Sequence, residues 1–233
     1  MPRVGQPHVL ITKHLTVSYG RSPALIDVDL RVDSSHGVVG LFGANGAGKT
    51  TLLKTVYGDI QRYSGEVLGP PRADIAYLPD SPYLYRWLTV RECLELFSSR
   101  HPDFRTEAAE DFLAGSALGA SRRVAEFSKG MSERLHLALT LARQPKLYIL
   151  DEPLAGVDPL TRDHLLEMIR KYRVPDAPLL ISTHLINGVD SIFDSVIMIS
   201  DGRVLLHDDA DRVRSRGNGN LEQAFKEVMA GND

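Results

Sequence analysis

The chain has a single cysteine, Cys93, among 233 residues. One thiol forms no internal disulfide and no cysteine-rich metal site. No apolar run approaches the ~20 residues needed to cross a bilayer. Residues 1–20 hold no apolar core of the kind that marks a secretory leader. The expectation is therefore a cytosolic chain, with any membrane role exerted through a partner. A basic excess is missing too. The net charge of −3 and the pI of about 6.2 argue against a nucleic-acid binder, which usually presents a basic face. Neither an internal repeat nor a low-complexity tract is visible, so each motif found below occurs once and implies one binding unit. Apolar material is plentiful: at 43% hydrophobic, the chain can fill one large domain, or a core with an inserted lobe.

The stretch that organises the rest is Gly43-Ala44-Asn45-Gly46-Ala47-Gly48-Lys49-Thr50. It matches the phosphate-binding pattern G-x-x-x-x-G-K-[ST] at every fixed position. Val38 to Phe42 before it reads as a buried strand, and Thr51 to Val56 after it as the first turns of a helix. Glycines let successive N–H groups turn inward on a polyphosphate, and a helix start adds open donors and partial positive charge. Lys49 can reach the β- and γ-phosphates, and the Thr50 hydroxyl can meet Mg²⁺.

Around this loop the chain reads as an α/β protein. Val9–Thr12, Leu15–Tyr19 and the alternating run Ala24–Val32 suggest antiparallel strands. Tyr19 can either stack on a nucleotide base or fill the core. Tyr63–Glu66 and Gly69–Pro71 read as turns, and Ile75–Leu78 as a short strand stopped by Pro79. From Thr89 to about Arg143 the pattern is mostly helical, opened by the capping box Thr89-x-x-Glu92. Residues 80–140 are therefore expected to form a helical lobe inserted into the core. Ser128 to Ser132 opens a further helix that ends by Pro145, and Pro159–Tyr172 is another. Leu147–Leu150 and Leu179–Ser182 are buried strands. Asp201-Gly202 between two apolar runs signals a hairpin. Arg212–Asn220 reads as loose, and Leu221–Ala230 as a last helix.

Asp151 and Glu152 end the Leu147–Leu150 strand. In a parallel sheet, strand C-termini share one edge with the phosphate loop. Asp151 can then hold Mg²⁺ through water, and Glu152 can polarise an attacking water.

Taken in order, these motifs resemble the ATP-binding subunit of an ATP-binding cassette (ABC) transporter over nearly the whole chain. Phe127-Ser128-Lys129-Gly130-Met131 stands where that family carries its L-S-G-G-Q signature. Ala155-Gly156-Val157-Asp158 matches the loop after the acidic strand, His184 the switch histidine and Tyr19 the adenine-stacking aromatic. The resemblance implies a P-loop NTPase core with a mostly parallel sheet, an N-terminal antiparallel β subdomain and an inserted helical subdomain. The whole of 1–233 is then one domain, with core and β subdomain in 1–79 and 141–233 and helices in 80–140.

It implies ATP and Mg²⁺ as cofactors. ATP would be held by Tyr19, Gly43, Ala44, Asn45, Gly46, Ala47, Gly48, Lys49, Thr50 and Thr51, and the metal by Thr50, Asp80 and Asp151. Glu152 and His184 would be catalytic. Ser128, Lys129, Gly130 and Met131 would grip the ATP of a second ATPase subunit, with Asp158 at the interface. The partners implied are that second subunit and a membrane-embedded permease on another chain, which places this one on the inner face of the cell membrane. Tyr83-Leu84-Tyr85-Arg86-Trp87-Leu88 falls where relatives receive the permease, and packing within the helical lobe explains it equally well.

Two positions depart from the common pattern. Lys129 and Met131 replace Gly and Gln in the signature, a variant resembling that of ABC-2-type exporter ATPases, including bacitracin- and lantibiotic-resistance systems. Asp80 stands where Gln is usual. It can meet Mg²⁺, but it also adds negative charge beside a triphosphate. The leading expectation is an ATP-hydrolysing exporter motor. The alternatives are a soluble ABC-type ATPase acting on nucleic acid or ribosomes, disfavoured by the charge, and a nucleotide-binding regulator with weak hydrolysis, hinted at by Asp80.

Overall fold

The computed structural model describes residues 8–186 and 188–230, so the ends of the expected domain span, 1–7 and 231–233, lie outside the described residues. Two sheets carry the fold. A small antiparallel sheet joins β1 (His8–Tyr19), β2 (Ser22–Asp33) and β4 (Ser64–Leu68) in the order β2-β1-β4. A six-stranded sheet has the order β5-β6-β7-β3-β8-β9. Its strands are β3 (Val38–Phe42), β5 (Ile75–Leu78), β6 (Leu147–Asp151), β7 (Leu179–Thr183), β8 (Ser195–Ser200) and β9 (Arg203–Asp209). All neighbours in it pair in parallel except β8 and β9.

The inner strands are apolar runs because both faces are covered. Val39, Leu41, Ile149, Leu180 and Ile197 pack on one side against α1 (Lys49–Tyr57) and the small sheet. Phe42, Tyr148, Leu150, Ile181 and Met198 pack on the other, in the core that holds the remaining helices. Those are α2 (Val90–Arg100), α3 (Thr106–Leu113), α4 (Lys129–Leu141), α5 (Pro159–Tyr172), α6 (Ala210–Arg216) and α7 (Leu221–Ala230). Three of them, α2 to α4, fall between β5 and β6.

Local chemistry sets the helix starts. Thr89 and Glu92 form a reciprocal capping box on α2. Ser128 caps α4, and Asp158 caps α5 ahead of Pro159 at its first position. The β8–β9 hairpin turns at Asp201 (φ 47°) and Gly202 (φ 75°), the positive-φ pair such a tight turn needs.

Four expectations change. The two strands expected at Val9–Thr12 and Leu15–Tyr19 are one strand, bulged where His14 takes φ 49°. Tyr63–Glu66 is not a turn. Ser64–Leu68 is an edge strand on β1, and its mostly exposed side chains hide it from hydrophobic patterning. Within the stretch Thr89–Arg143 expected to be mostly helical, Ala117–Leu118 lies outside any helix, since α3 stops at Leu113. Arg212–Asn220 is not loose at its start. Asp209 caps α6 by accepting from Asp211 and Arg212 N–H, Val213 is buried, and Arg214 donates to the Asp190 and Phe193 carbonyls.

Candidate active site

Because β3, β6 and β7 are parallel, Phe42, Asp151 and Thr183 finish at one edge of the sheet. Beyond Phe42 the chain enters the glycine loop. A methyl at Gly43 would lie 2.4 Å from the Ile199 carbonyl oxygen, and one at Gly48, where φ is 109°, 2.6 Å from the Ala24 oxygen. Only glycine fits either place. Gly48 caps α1 without a side-chain acceptor, so the first N–H groups of that helix keep the open donors that suit an anion.

Lys49 is nearly buried and folds back over the loop. Its Nζ donates to the Gly43 oxygen (2.8 Å) and the Ala44 oxygen (3.2 Å), and lies 3.3 Å from Glu152 Oε1. Glu152 follows β6 with φ 50°, left-handed backbone that costs about 1–3 kcal/mol for a non-glycine residue. Its N–H donates to the Ser182 hydroxyl (2.9 Å) and carbonyl (3.2 Å), which hold the turn. The second carboxylate oxygen, Oε2, is 2.9 Å from His184 Nδ1. An ionised carboxylate only accepts, so the ring proton sits on Nδ1. Lys49, Glu152 and His184 thus form one continuous chain of polar contacts.

Asp151 is fully buried. Oδ1 accepts from the Ser182 hydroxyl, and Oδ2 has no partner. Burial pushes its carboxyl above the usual carboxylate range. The Ser182 and Thr50 hydroxyls oppose that shift, while the charges of Asp80 and Glu152 add to it. Ser182 serves both acidic residues, a role that its place at the end of an apolar strand did not reveal.

A cavity of about 590 Å³ opens over this edge, lined among others by Tyr19, Asn45, Lys49, Thr50, Asp80 and His184. Gly46, Gly48, Thr51 and Glu152 complete the part foreseen from sequence, while Ser22, Pro23, Ala24 and Ala155 are additions. Tyr19 projects from the end of β1 with 58% of its surface exposed, so it is not a core aromatic. The signature residues stand apart from this cavity, at the start of α4. The Ser128 hydroxyl accepts from Met131 N–H (3.4 Å). That turn lies against the start of α5: a methyl on Gly156 would meet Lys129 Nζ at 2.4 Å, and one on Gly130 would sit 3.7 Å from Thr161 Cγ2. Asp158 accepts from Thr161 N–H (3.1 Å) and its hydroxyl (2.6 Å), which hold its carboxyl below the usual range.

A comparison with known families matches residues 25–155, more than half of the chain, to the family described as ABC transporter. The chain belongs to the ABC transporter ATP-binding family. Among curated relatives, the ABC transporter ATP-binding protein YthP of Bacillus subtilis is 31% identical over 90% of this chain and 92% of its own. The lantibiotic transport ATP-binding protein SrtF of Streptococcus pyogenes is 30% identical over 93% and 96%. Among solved structures, one titled as the ATP binding subunit of an ABC transporter superposes with a TM-score of 0.83 at 30% identity, over 95% of this chain and 99% of that one. CbiO1 of Clostridium perfringens has a TM-score of 0.74 at 22% identity over 95% and 94%, and supports the fold alone. In this ABC domain the matched span contains the phosphate loop, Asp80, Ser128–Met131 and the acidic pair. Tyr19, Asp158 and His184 lie outside it.

Proposed function

We propose that the chain is the ATP-binding and ATP-hydrolysing motor subunit of a membrane exporter, working as a nucleotide sandwich between two such subunits. The observation that carries this reading is Glu152 held between Lys49 and His184 at the rim of the cavity. The loop N–H groups and the start of α1 receive the phosphates, and Tyr19 stacks on the base. Lys49 faces two anions in turn. A γ-phosphate that takes up its ammonium releases Glu152 Oε1, which then accepts the proton of the attacking water, a contribution of roughly 10²–10⁴-fold. His184, donating through Nδ1, keeps the other oxygen in place.

Thr50 and Asp80, which line the cavity, and Asp151, whose carboxyl feels both of them, offer the hard oxygen donors that Mg²⁺ prefers, and Asp151 Oδ2 fits that use. A Mg²⁺ held there would supply positive charge to offset that of the phosphates. Ser128, Lys129, Gly130, Met131 and Asp158, clustered at two adjacent helix starts outside the cavity, face the nucleotide of the second subunit. Export direction follows the Ser-Lys-Gly-Met variant and the likeness to a lantibiotic transport protein.

No helix among the described residues is long and apolar enough to cross a membrane. Membrane association, on the inner face, therefore falls to a permease chain. Its docking surface lies on the 80–140 helical subdomain and its border with the core. Tyr85 and Trp87 stack at 4.6 Å while 57% and 67% exposed. A hollow of about 330 Å³ lies among Tyr57, Tyr77, Tyr83, Phe97 and His101. Exposed stacked aromatics beside a hollow suit an apolar partner segment. Tyr83 also packs edge-on against His136 of α4 (4.8 Å), so Tyr85 is the cleaner probe. Tyr85→Asp is expected to keep ATP binding and to lose stimulation of turnover by the permease; full stimulation would remove this surface from the reading. The reading as a whole is tested by recovering the tagged chain from solubilised membranes. A stoichiometric multi-spanning protein supports it, and recovery of ribosomal or DNA-bound partners alone overturns it.

A further inference from the structure

The side chain of Lys129, at the start of α4, crosses onto the loop that leads into α5. It runs over the backbone of Gly156: a methyl there would lie 2.4 Å from Lys129 Nζ, 3.4 Å from Cε and 3.8 Å from Cδ. Gly156 is the exposed crest of the loop joining Glu152 to Asp158, with φ 70°. From below, the loop is anchored by Leu154 and Val157, both buried. Its own bonds are long. Ala155 N–H donates to the Glu152 oxygen (3.2 Å) and Val157 N–H to the Leu154 oxygen (3.4 Å). Arg162 Nη2 reaches the Val157 oxygen at 3.4 Å. From above, Lys129 lies across the crest.

A lysine in the first turn of a helix is electrostatically misplaced, because that end carries partial positive charge. Lying across the loop relieves the conflict, and a lysine stem can cover backbone while its head stays in water. Glu133, one turn further along α4, feels the ammonium: burial holds its carboxyl above the usual range, and Lys129 eases that shift. The loop matters because it begins at Glu152, whose backbone is already left-handed at φ 50° and whose carbonyl accepts the first loop bond. A loop that shifts carries that residue with it.

We infer that Lys129 is a positioning residue within its own chain: its stem clamps the loop between Glu152 and Asp158 and so holds the Glu152 carboxylate between Lys49 and His184. The inference rests on the ATP-hydrolysing reading and goes beyond it, since that reading sends Lys129 to the nucleotide of a second subunit. The two roles differ in their chemistry. A clamp on the loop works through the length of the stem, whereas a grip on phosphate works through the charge.

The test compares Lys129→Ala, which removes the stem, with Lys129→Met, which keeps it to the length of Cε and drops the charge. Amide hydrogen exchange over residues 154–158 is followed by mass spectrometry on the free chain without nucleotide, and ATP hydrolysis is measured in parallel. Lys129→Ala is expected to speed exchange about fourfold, the worth of one buried methylene. It should lower kcat about tenfold and leave KM within about twofold, as a small misplacement of the reacting groups does. Lys129→Met is expected to restore both to near the wild-type values. Unchanged exchange in Lys129→Ala overturns the inference, and so does unchanged kcat. If Lys129→Met is as impaired as Lys129→Ala and both raise KM for ATP, the ammonium acts on phosphate across the interface; the clamp is overturned and the sandwich stands. If the wild-type chain hydrolyses no ATP with Mg²⁺ present, the functional reading itself falls and the inference with it, whatever the exchange shows. Equal melting temperatures show that the exposed substitutions left the fold intact.

Discussion

Arg143, just past α4, and Asp151, at the end of β6, are both almost completely buried charges, yet their surroundings are opposite. Every nitrogen of the Arg143 guanidinium is used. Nε and Nη2 grip the two oxygens of Asp103 at 3.0 Å each, Nη1 donates to the Ile75 carbonyl (2.9 Å), and Nη2 also donates to that of Ala73 (2.6 Å). Asp103 in turn accepts from Gln144 N–H. This joint ties the connection between α2 and α3 to the edge strand β5. Asp151 has one oxygen bonded to Ser182, the other outside hydrogen-bond geometry with only the Thr50 hydroxyl easing its charge, and two further carboxylates in its field. A buried charge whose bonds are all made holds structure together. One left unsatisfied costs stability and persists where a ligand completes it. Next to it, Glu152 adds left-handed strain to the same strand end. The comparison separates a joint built to stay closed from an edge built to be filled.

The largest expected effect lies on the unsatisfied side. Glu152→Gln should lower ATP turnover by roughly 10²–10⁴-fold, the usual worth of a general base, with ATP still bound. Phosphate release and nucleotide binding, measured together, check both halves. Unchanged turnover would take Glu152 out of its role and leave the chain of contacts to Lys49 as structure only. On the satisfied side, Arg143→Met leaves the half-buried Asp103 without its cation. Breaking a buried pair in this way costs about 3–5 kcal/mol, somewhat less here because Asp103 keeps partial exposure. Urea unfolding should show that loss, while Mg–ATP affinity of the folded protein stays within about twofold, a shift too small to count as a lost contact. Asp151→Asn should move stability the other way. It keeps the shape and an acceptor for Ser182 but removes a charge that burial and its neighbours disfavour. Without divalent cation its unfolding midpoint should rise by about 2–4 °C, as a gain near 1 kcal/mol gives in a protein of this size. A fall of the same size would mean that the orphan oxygen has a partner in solution.

What was legible in the sequence follows the same division between local and distant causes. The glycine loop, the Thr89–Glu92 box, the limits Pro159–Tyr172 and Leu221–Ala230, and the Asp201-Gly202 turn are written in adjacent residues, and the structure has them there. Strand β4 was missed because an exposed edge strand lacks alternation, and its pairing is with β1, some fifty residues earlier (Lys13 with Glu66). Helix α6 is hard to read from sequence because Ala210 and Val213 are its only buried residues; it is held by Arg214 donating to the Asp190 and Phe193 carbonyls. At the cavity, the phosphate-loop pattern named Lys49 and Thr50, the strand ending in two carboxylates named Glu152, and the family resemblance named Asp80 and His184, which the fold gathers from positions 49 to 184. The sequence did not name Ser182, whose hydroxyl meets Asp151 and the Glu152 N–H only once β6 and β7 lie side by side. Nor did it show that Lys49 rests on Glu152, a relation between two side chains that no spacing encodes.

The smallest effect tests whether the helices between β5 and β6 carry local stability that the cavity does not feel. Thr89 Oγ1 accepts from Glu92 N–H at 3.3 Å, and Glu92 Oε2 accepts from Thr89 N–H at 2.7 Å. Removing the cap with Thr89→Ala should cost about 1 kcal/mol and leave nucleotide binding untouched. The pH dependence supplies a second handle. The Thr89 N–H and hydroxyl hold the Glu92 carboxyl below its ordinary range. A carboxyl with a lowered folded pKa stabilises above its unfolded value and loses that contribution as pH falls through the folded one. Between neutrality and mild acid, Thr89→Ala should therefore lose less stability than the wild type, and the two melting curves should converge as the pH drops. If they instead stay parallel, the Thr89 hydroxyl contributes nothing through the charge of Glu92, and the loss in Thr89→Ala is that of the cap to Glu92 N–H alone.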